Sequence, residues 1–315
     1  MSNKPLSIPP PPGLYVAPVM FFDDNEEFDF PAIKLHLLRL AHGGVTGIFI
    51  TGSYGEAQHL SHDERKTIIR FTRQTLDENG FKDIVLISGT GTQSTRETMK
   101  LNVDAREAGA AYALIFTPST WRARMTREAI IRFHVQVADA SPIPTMIYNN
   151  PGNTAGINID SDMFIELGRH PNIVGAKLGC SDLAKLTRIV TTLPQSQFSV
   201  FTATSDTLLP ALMLKAAGGN TALLNIAPKV HCRMLSLYES GKVDEALDIH
   251  RILAHCDNVS RKLGGPAFLK AIVSKKFGYG DAVIRGPLLG VPSVDELRDE
   301  DAELMDELIN LEKSL

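Results

Sequence analysis

The run Val174-Gly175-Ala176-Lys177-Leu178-Gly179 places a lysine near the end of an apolar stretch. Burying an ammonium is costly, and the ordinary escape is a fall in pKa until the amine is neutral. A neutral amine attacks ketones, so Lys177 is a candidate Schiff-base former; a lysine snorkelling to the surface, or one arm of an ion pair, fits the same residues. Two other segments could serve that chemistry. In Thr51-Gly52-Ser53-Tyr54-Gly55-Glu56 two glycines bracket a hydroxyl, which lets successive backbone N–H groups converge on an anion, although an ordinary glycine-rich turn reads the same way. Tyr148-Asn149-Asn150-Pro151-Gly152-Asn153-Thr154 opens on a phenol that can shuttle protons if a hydroxyl relays them, or that is a core tyrosine with a wet hydroxyl.

The elements that must position these groups come from a repeated unit. From Gly13 onward, short β-rich runs alternate with amphipathic helical patterns. Strands are predicted at Tyr15–Met20, Gly47–Thr51, Ile84–Ser88, Ala113–Thr117, Thr145–Tyr148, Ile173–Lys177, Ser199–Thr202 and Thr221–Asn225. Helices are predicted between them at Pro31–Ala41, Asp63–Asp77, Arg96–Glu107, Arg127–Ala138, Asp162–Arg169, Leu183–Thr192 and Thr207–Ala217. The strands are apolar throughout rather than alternating, as expected where both faces are covered. Eight such units in one series predict a closed (β/α)8 barrel over residues 13–228, whose reactive groups sit at the carboxyl ends of the strands. After Pro228 the strands stop. Lys229–Glu239, Val243–Leu263, Ala267–Phe277 and Ser293–Lys313 read as helices, forming a C-terminal helical appendage over 229–315, while residues 1–12 read as a loose proline-rich tail.

Composition narrows the function classes. The 315 residues carry a net charge of −4, and basic residues cluster no further than Arg122-Ala123-Arg124, so a nucleic-acid partner is not expected. No apolar run reaches membrane length and the amino terminus has no signal-like apolar segment. Three cysteines, Cys180, Cys232 and Cys256, lie far apart without paired spacing, which predicts neither a disulfide framework nor a zinc site and suits a reducing cytosol. Gly89-Thr90-Gly91 does not complete a dinucleotide fingerprint, and His59 with His62 lack a third ligand nearby, so no metal is expected. Cys180 reads as a packing thiol, His170 as a helix-end cation and Glu56 as a scaffold for its turn.

Taken together, Gly-x-x-Gly-Glu after the second strand, Tyr-Asn-x-Pro after the fifth and Gly-x-Lys in the sixth resemble the dihydrodipicolinate synthase / N-acetylneuraminate lyase family of class I pyruvate aldolases, from Gly13 through the carboxy-terminal helices. The resemblance implies that Lys177 forms the imine with pyruvate, that Tyr148 is the general acid/base, and that Ser53 and Tyr54 hold the pyruvate carboxylate, Ser53 also keeping a hydroxyl relay. It implies no dissociable cofactor and a homotetramer built as a dimer of dimers. Departures point within the family. Asn153 stands where dihydrodipicolinate synthases carry an arginine for a carboxylated aldehyde, and Ala155 is an extra residue before Gly156; an amide does not replace a bidentate guanidinium. Thr117-Pro118-Ser119-Thr120-Trp121 lacks the tyrosine that the synthases donate across an interface. The pattern looks closest to 2-keto-3-deoxy-sugar-acid and 4-hydroxy-2-oxoglutarate aldolases, so the expected substrate is L-threo-3-deoxy-hexulosonate, split to pyruvate and L-glyceraldehyde. Asp206 is expected to bind acceptor hydroxyls or to cap the helix beginning near Thr207, and Asn225 is a further acceptor candidate. 4-Hydroxy-2-oxoglutarate cleavage, dihydrodipicolinate synthesis and a non-catalytic pyruvate-binding barrel are the alternatives.

Overall fold

The computed structural model describes residues 6–291 and 297–315. Within them eight parallel strands close into a barrel: β1 Gly13–Val16, β2 Gly47–Ile50, β3 Val85–Gly89, β4 Tyr112–Phe116, β5 Thr145–Asn149, β6 Ile173–Leu178, β7 Ser199–Thr202 and β8 Gly218–Thr221. Seven helices follow the first seven strands on the outside: α1 Phe30–His42, α2 His62–Glu78, α3 Thr95–Glu107, α4 Arg127–Ala140, α5 Ser161–Leu167, α6 Leu183–Val190 and α7 Leu208–Met213. Local chemistry fixes their starts. Asp29 accepts from Ala32 N at the head of α1, and Ser61 with Glu64 forms a reciprocal capping box on α2.

Aromatic side chains plug the lumen below the site. Tyr15 packs edge-on against Phe49 at 5.6 Å and Phe201 at 5.0 Å, joined by Ile87, Leu114, Met146 and Val174. Closure of the barrel rests on a backbone approach that only glycine allows. Gly13 pairs with Gly218, and a Cβ on Gly218 would lie 1.8 Å from the Gly13 carbonyl oxygen.

Two strands lie earlier in the chain than predicted. β1 ends at Val16 because Pro18 has no N–H to donate and the Val19 N–H goes to the Asn225 side chain instead of a ladder. β8 is Gly218–Thr221, and the predicted strand Thr221–Asn225 is instead a 3-10 turn over Ala222–Asn225. The helix predicted over Thr207–Ala217 is shorter, since Lys215 adopts a positive φ of 72° just past its end.

Beyond the barrel run α8 Pro228–Glu239, α9 Val243–Lys262, α10 Pro266–Phe277 and α11 Asp299–Ser314. The predicted start of the last helix at Ser293 lies outside the described residues. These helices share one apolar core with the barrel, in which Leu14 and Ile48 belong to the same cluster as Leu253, Phe268 and Leu308. No helix among the described residues is long and apolar enough to cross a membrane.

Candidate active site

Lys177 sits one residue before the end of β6 with its side chain in the lumen, only 6% exposed. Its Nζ donates to Asn220 Oδ1 on β8 and lies 4.4 Å from the Tyr148 ring centre and 5.6 Å from that of Phe49. The rings favour a cation, but loss of water outweighs them, and burial pulls the amine down to about pKa 7. A substantial fraction is therefore neutral near neutral pH. Asn220 Nδ2 is buried without a hydrogen-bond partner among the described residues.

Strand register brings the phenol to the amine: Tyr148 on β5 pairs with Lys177 on β6. Tyr148 stacks on Phe116 at 4.4 Å and accepts a hydrogen bond from Asn150 Nδ2 at 3.1 Å. Burial pushes its pKa up to about 12, against the opposing pull of Asn150, so the resting group is a neutral phenol.

Ser53 and Tyr54 open a 3-10 turn, Ser53–Gly55, directly after β2. As its first two residues they have N–H groups that meet no carbonyl within the turn. Thr51 supports them in a left-handed conformation with φ 54°, and its hydroxyl bonds to Ser88 Oγ at 3.0 Å and Gly89 O at 3.1 Å. Glu56, also left-handed, is wholly buried: its Oε1 accepts from Lys270 Nζ, and its Oε2 accepts from Arg285 N at 2.9 Å. The scaffold role expected of Glu56 thus has a physical basis, a carboxylate tying the turn to the C-terminal region. Tyr54 carries its phenol toward the α9–α10 elbow, where Gly265 lies beside the hydroxyl.

Ser53, Tyr54, Tyr148 and Lys177 line one narrow inner chamber of about 20 Å³. An outer chamber of about 400 Å³ shares Ser53, Gln58, Gly91 and Phe116 with it. Asn153 stands there, donating from Nδ2 to Ser53 Oγ at 3.2 Å. The outer wall carries hydroxyls and amides from Gln58, Thr92, Gln93, Thr117, Asn153 and Thr154 beside Glu56, His59 and the Phe116 ring, and no lysine or arginine lines it among the described residues. Gln93 Oε1 also gathers the N–H groups of Ser119 and Thr120, at 2.7 and 2.8 Å, fixing the loop after β4.

The sequence matches the Dihydrodipicolinate synthetase family over residues 10–305. The chain belongs to that family. A relative from Emericella nidulans, named "Probable 4-hydroxy-2-oxoglutarate aldolase, mitochondrial", is 40% identical over 100% of this chain and 99% of its own. The L-threo-3-deoxy-hexylosonate aldolase of Aspergillus niger is 37% identical, over 96% of this chain and 97% of its own. Among solved structures, a dihydrodipicolinate synthase family protein from Coccidioides immitis superposes with a TM-score of 0.86 at 33% identity, covering 98% of this chain and 99% of that one. YagE of E. coli K12, solved in complex with pyruvate, gives 0.83 at 26% identity, with 96% and 98% covered. The cytosolic expectation is overturned here, since relatives from Emericella nidulans and Coccidioides immitis are both named as mitochondrial.

Two acceptor candidates are corrected by the structure. Asn225 lines neither chamber: its Oδ1 accepts from Val19 N and His36 Nε2, both at 2.9 Å, and its Nδ2 donates to Ala17 O and Ala222 O, at 2.9 and 2.8 Å. With its amide fully engaged it is a strut between the segment after β1, α1 and the turn after β8. Asp206 also lies outside both chambers, inside the 3-10 turn Ser205–Thr207, where it pairs with Arg261 at 2.6 Å and caps no helix. Sequence reading missed Asn220, Asn150 and Arg65. Arg65 is buried in the inner chamber wall, where its guanidinium donates to the carbonyls of Ala57 and Gly89 and so joins the turn after β2 to the end of β3. Among the described residues no cluster of three His, Cys, Asp or Glu side chains suits a metal.

Proposed function

We propose that this chain is a class I aldolase that cleaves L-threo-3-deoxy-hexulosonate reversibly to pyruvate and L-glyceraldehyde. The observation carrying the reading is a buried lysine amine, drawn down to about pKa 7, beneath the tyrosine ring and beside the Ser53 turn. Lys177 Nζ adds to the C2 ketone, giving a carbinolamine. Tyr148 protonates the departing hydroxyl, which leaves as water, and a phenolate remains beside the new iminium. That cation stabilises the phenolate, which explains how a phenol with a high resting pKa becomes a base. The phenolate then takes the C4 hydroxyl proton. The C3–C4 bond breaks, its electron pair moves into the iminium, and the aldehyde departs from an enamine. Tyr148 returns the proton to C3, and water releases pyruvate from Lys177. The N–H groups of Ser53 and Tyr54, with the Ser53 hydroxyl, hold the substrate carboxylate. The imine serves as the electron sink, so the scheme calls on no dissociable cofactor.

An outer wall of hydroxyls and amides without a guanidinium suits a neutral hydroxylated aldehyde better than an anionic one. A second reading, cleavage of 4-hydroxy-2-oxoglutarate, is favoured by the name of the Emericella nidulans relative. Comparing kcat/KM for L-glyceraldehyde, glyoxylate and aspartate semialdehyde with pyruvate tests the assignment: L-glyceraldehyde is expected to lead, and a clear lead by either carboxylated aldehyde overturns it. We also infer a homotetramer from the family resemblance. Trp121, 72% exposed on the loop after β4, supports a contact between copies, and sedimentation equilibrium at a tetramer mass is the expected result.

A further inference from the structure

One wall of the outer chamber comes from the far end of the chain. Among the described residues, all of its other lining residues belong to the end of β4 and to the loops after β2, β3, β4 and β5, and Leu288 alone arrives from beyond α10. The segment that delivers it is pinned to the barrel just upstream. Lys270 Nζ donates to Val283 O as well as to Glu56, and the Arg285 N–H donates to Glu56 Oε2. The Arg285 guanidinium reaches Glu26 O, His59 O at 3.1 Å and Glu64 Oε1 at 2.6 Å, and lies 4.4 Å over the Phe22 ring. Leu288 therefore follows by three residues an anchor, Arg285, whose N–H is held by the same Glu56 carboxylate that braces the Ser53 turn.

We propose that Leu288 is a specificity-determining residue for the aldehyde half of the reaction. In a chamber faced with amides and hydroxyls together with Glu56, His59 and the Phe116 ring, its branched side chain, 44% exposed, gives the far carbons of the acceptor an apolar stop and sets how long an aldehyde fits. Leu289, 85% exposed and outside the chamber lining, is its built-in control. This inference rests on the aldolase reading, and the test separates the two. Leu288→Ala, Leu288→Met and Leu289→Ala are assayed with pyruvate against glycolaldehyde, glyceraldehyde and a four-carbon aldose, alongside borohydride trapping of the pyruvate adduct. Leu288→Ala is expected to shift the kcat/KM ratio of four-carbon to three-carbon acceptor about tenfold toward the longer one, the low end for removing methylenes from a pocket. Trapping should be unchanged, Leu288→Met should restore the parental ratio, and Leu289→Ala should leave it alone. No adduct in the parent protein would defeat the aldolase reading itself. An intact adduct with an unchanged acceptor ratio, or an equal loss on every acceptor, would defeat the role of Leu288.

Discussion

At the scale of single residues, the chemistry depends on the protonation of one amine. Only the neutral form of Lys177 carries a lone pair, and burial sets its midpoint at about 7. The rate of pyruvate imine formation, followed by reductive trapping, is therefore expected to rise with pH through a midpoint near 7 and then level off. A rate that keeps climbing toward pH 10 would mean the amine titrates like a solvated lysine. Lys177→Ala should give no adduct and no turnover with its circular dichroism unchanged. Tyr148→Phe keeps the ring beneath the stacked Phe116 but removes the proposed proton carrier, and should slow turnover about a hundredfold; a near-normal rate would reassign the proton transfers. Lys177, Tyr148 and Ser53, which the structure gathers around one chamber, stand out in the sequence because each is a polar residue beside an apolar run or between glycines. Asn220 was hidden by the slip in β8: with the strand placed at Thr221–Asn225 it reads as loop, whereas in Gly218–Thr221 it reaches the lysine from across the lumen. The same slip promoted Asn225, whose burial as a fully bonded strut is a tertiary property that no local pattern reports.

At the scale of elements, the Ser53 turn is held by an ion pair from which water is fully excluded. Glu56 and Lys270 are both without side-chain exposure, and burial lowers the Lys270 pKa more than Glu56 raises it. Such a pair adds little over an apolar replacement, yet removing one partner strands the other charge. Lys270→Met is thus expected to cost about 3–5 kcal/mol in urea unfolding. Adding Glu56→Gln should recover a good part of that loss, as read from a double-mutant cycle. A loss below about 1 kcal/mol for Lys270→Met would show that Glu56 finds water or another partner. The single variant should also raise the pyruvate KM, because Arg285 alone would then position the turn. Glu56 was visible in the sequence as part of the turn, but its partners lie 214 and 229 residues away and follow only from folding.

At the scale of the whole molecule, the division read from the sequence at Pro228 marks a change of pattern, from βα units to helices alone, while the packing runs straight through it. One apolar cluster spans β1 to α11, and the amino end of α8 is satisfied from the opposite end of the chain: Glu312 on α11 accepts from Lys229 N at 3.3 Å and Val230 N at 3.1 Å. A carboxylate there meets both the unpaired N–H groups and the positive end of the helix dipole. Barrel and appendage should accordingly melt as one unit. Glu312→Ala is expected to cost about 1–2 kcal/mol, as for a lost cap, and to move a single unfolding transition to lower urea. Far-UV circular dichroism and the capacity to form the pyruvate adduct should disappear at the same urea concentration, since losing α11 uncovers Met305, Leu308 and Ile309 against α8 and α9. Adduct formation that persists after a first drop in helicity would mean that the appendage unfolds on its own and that the barrel holds its site without it.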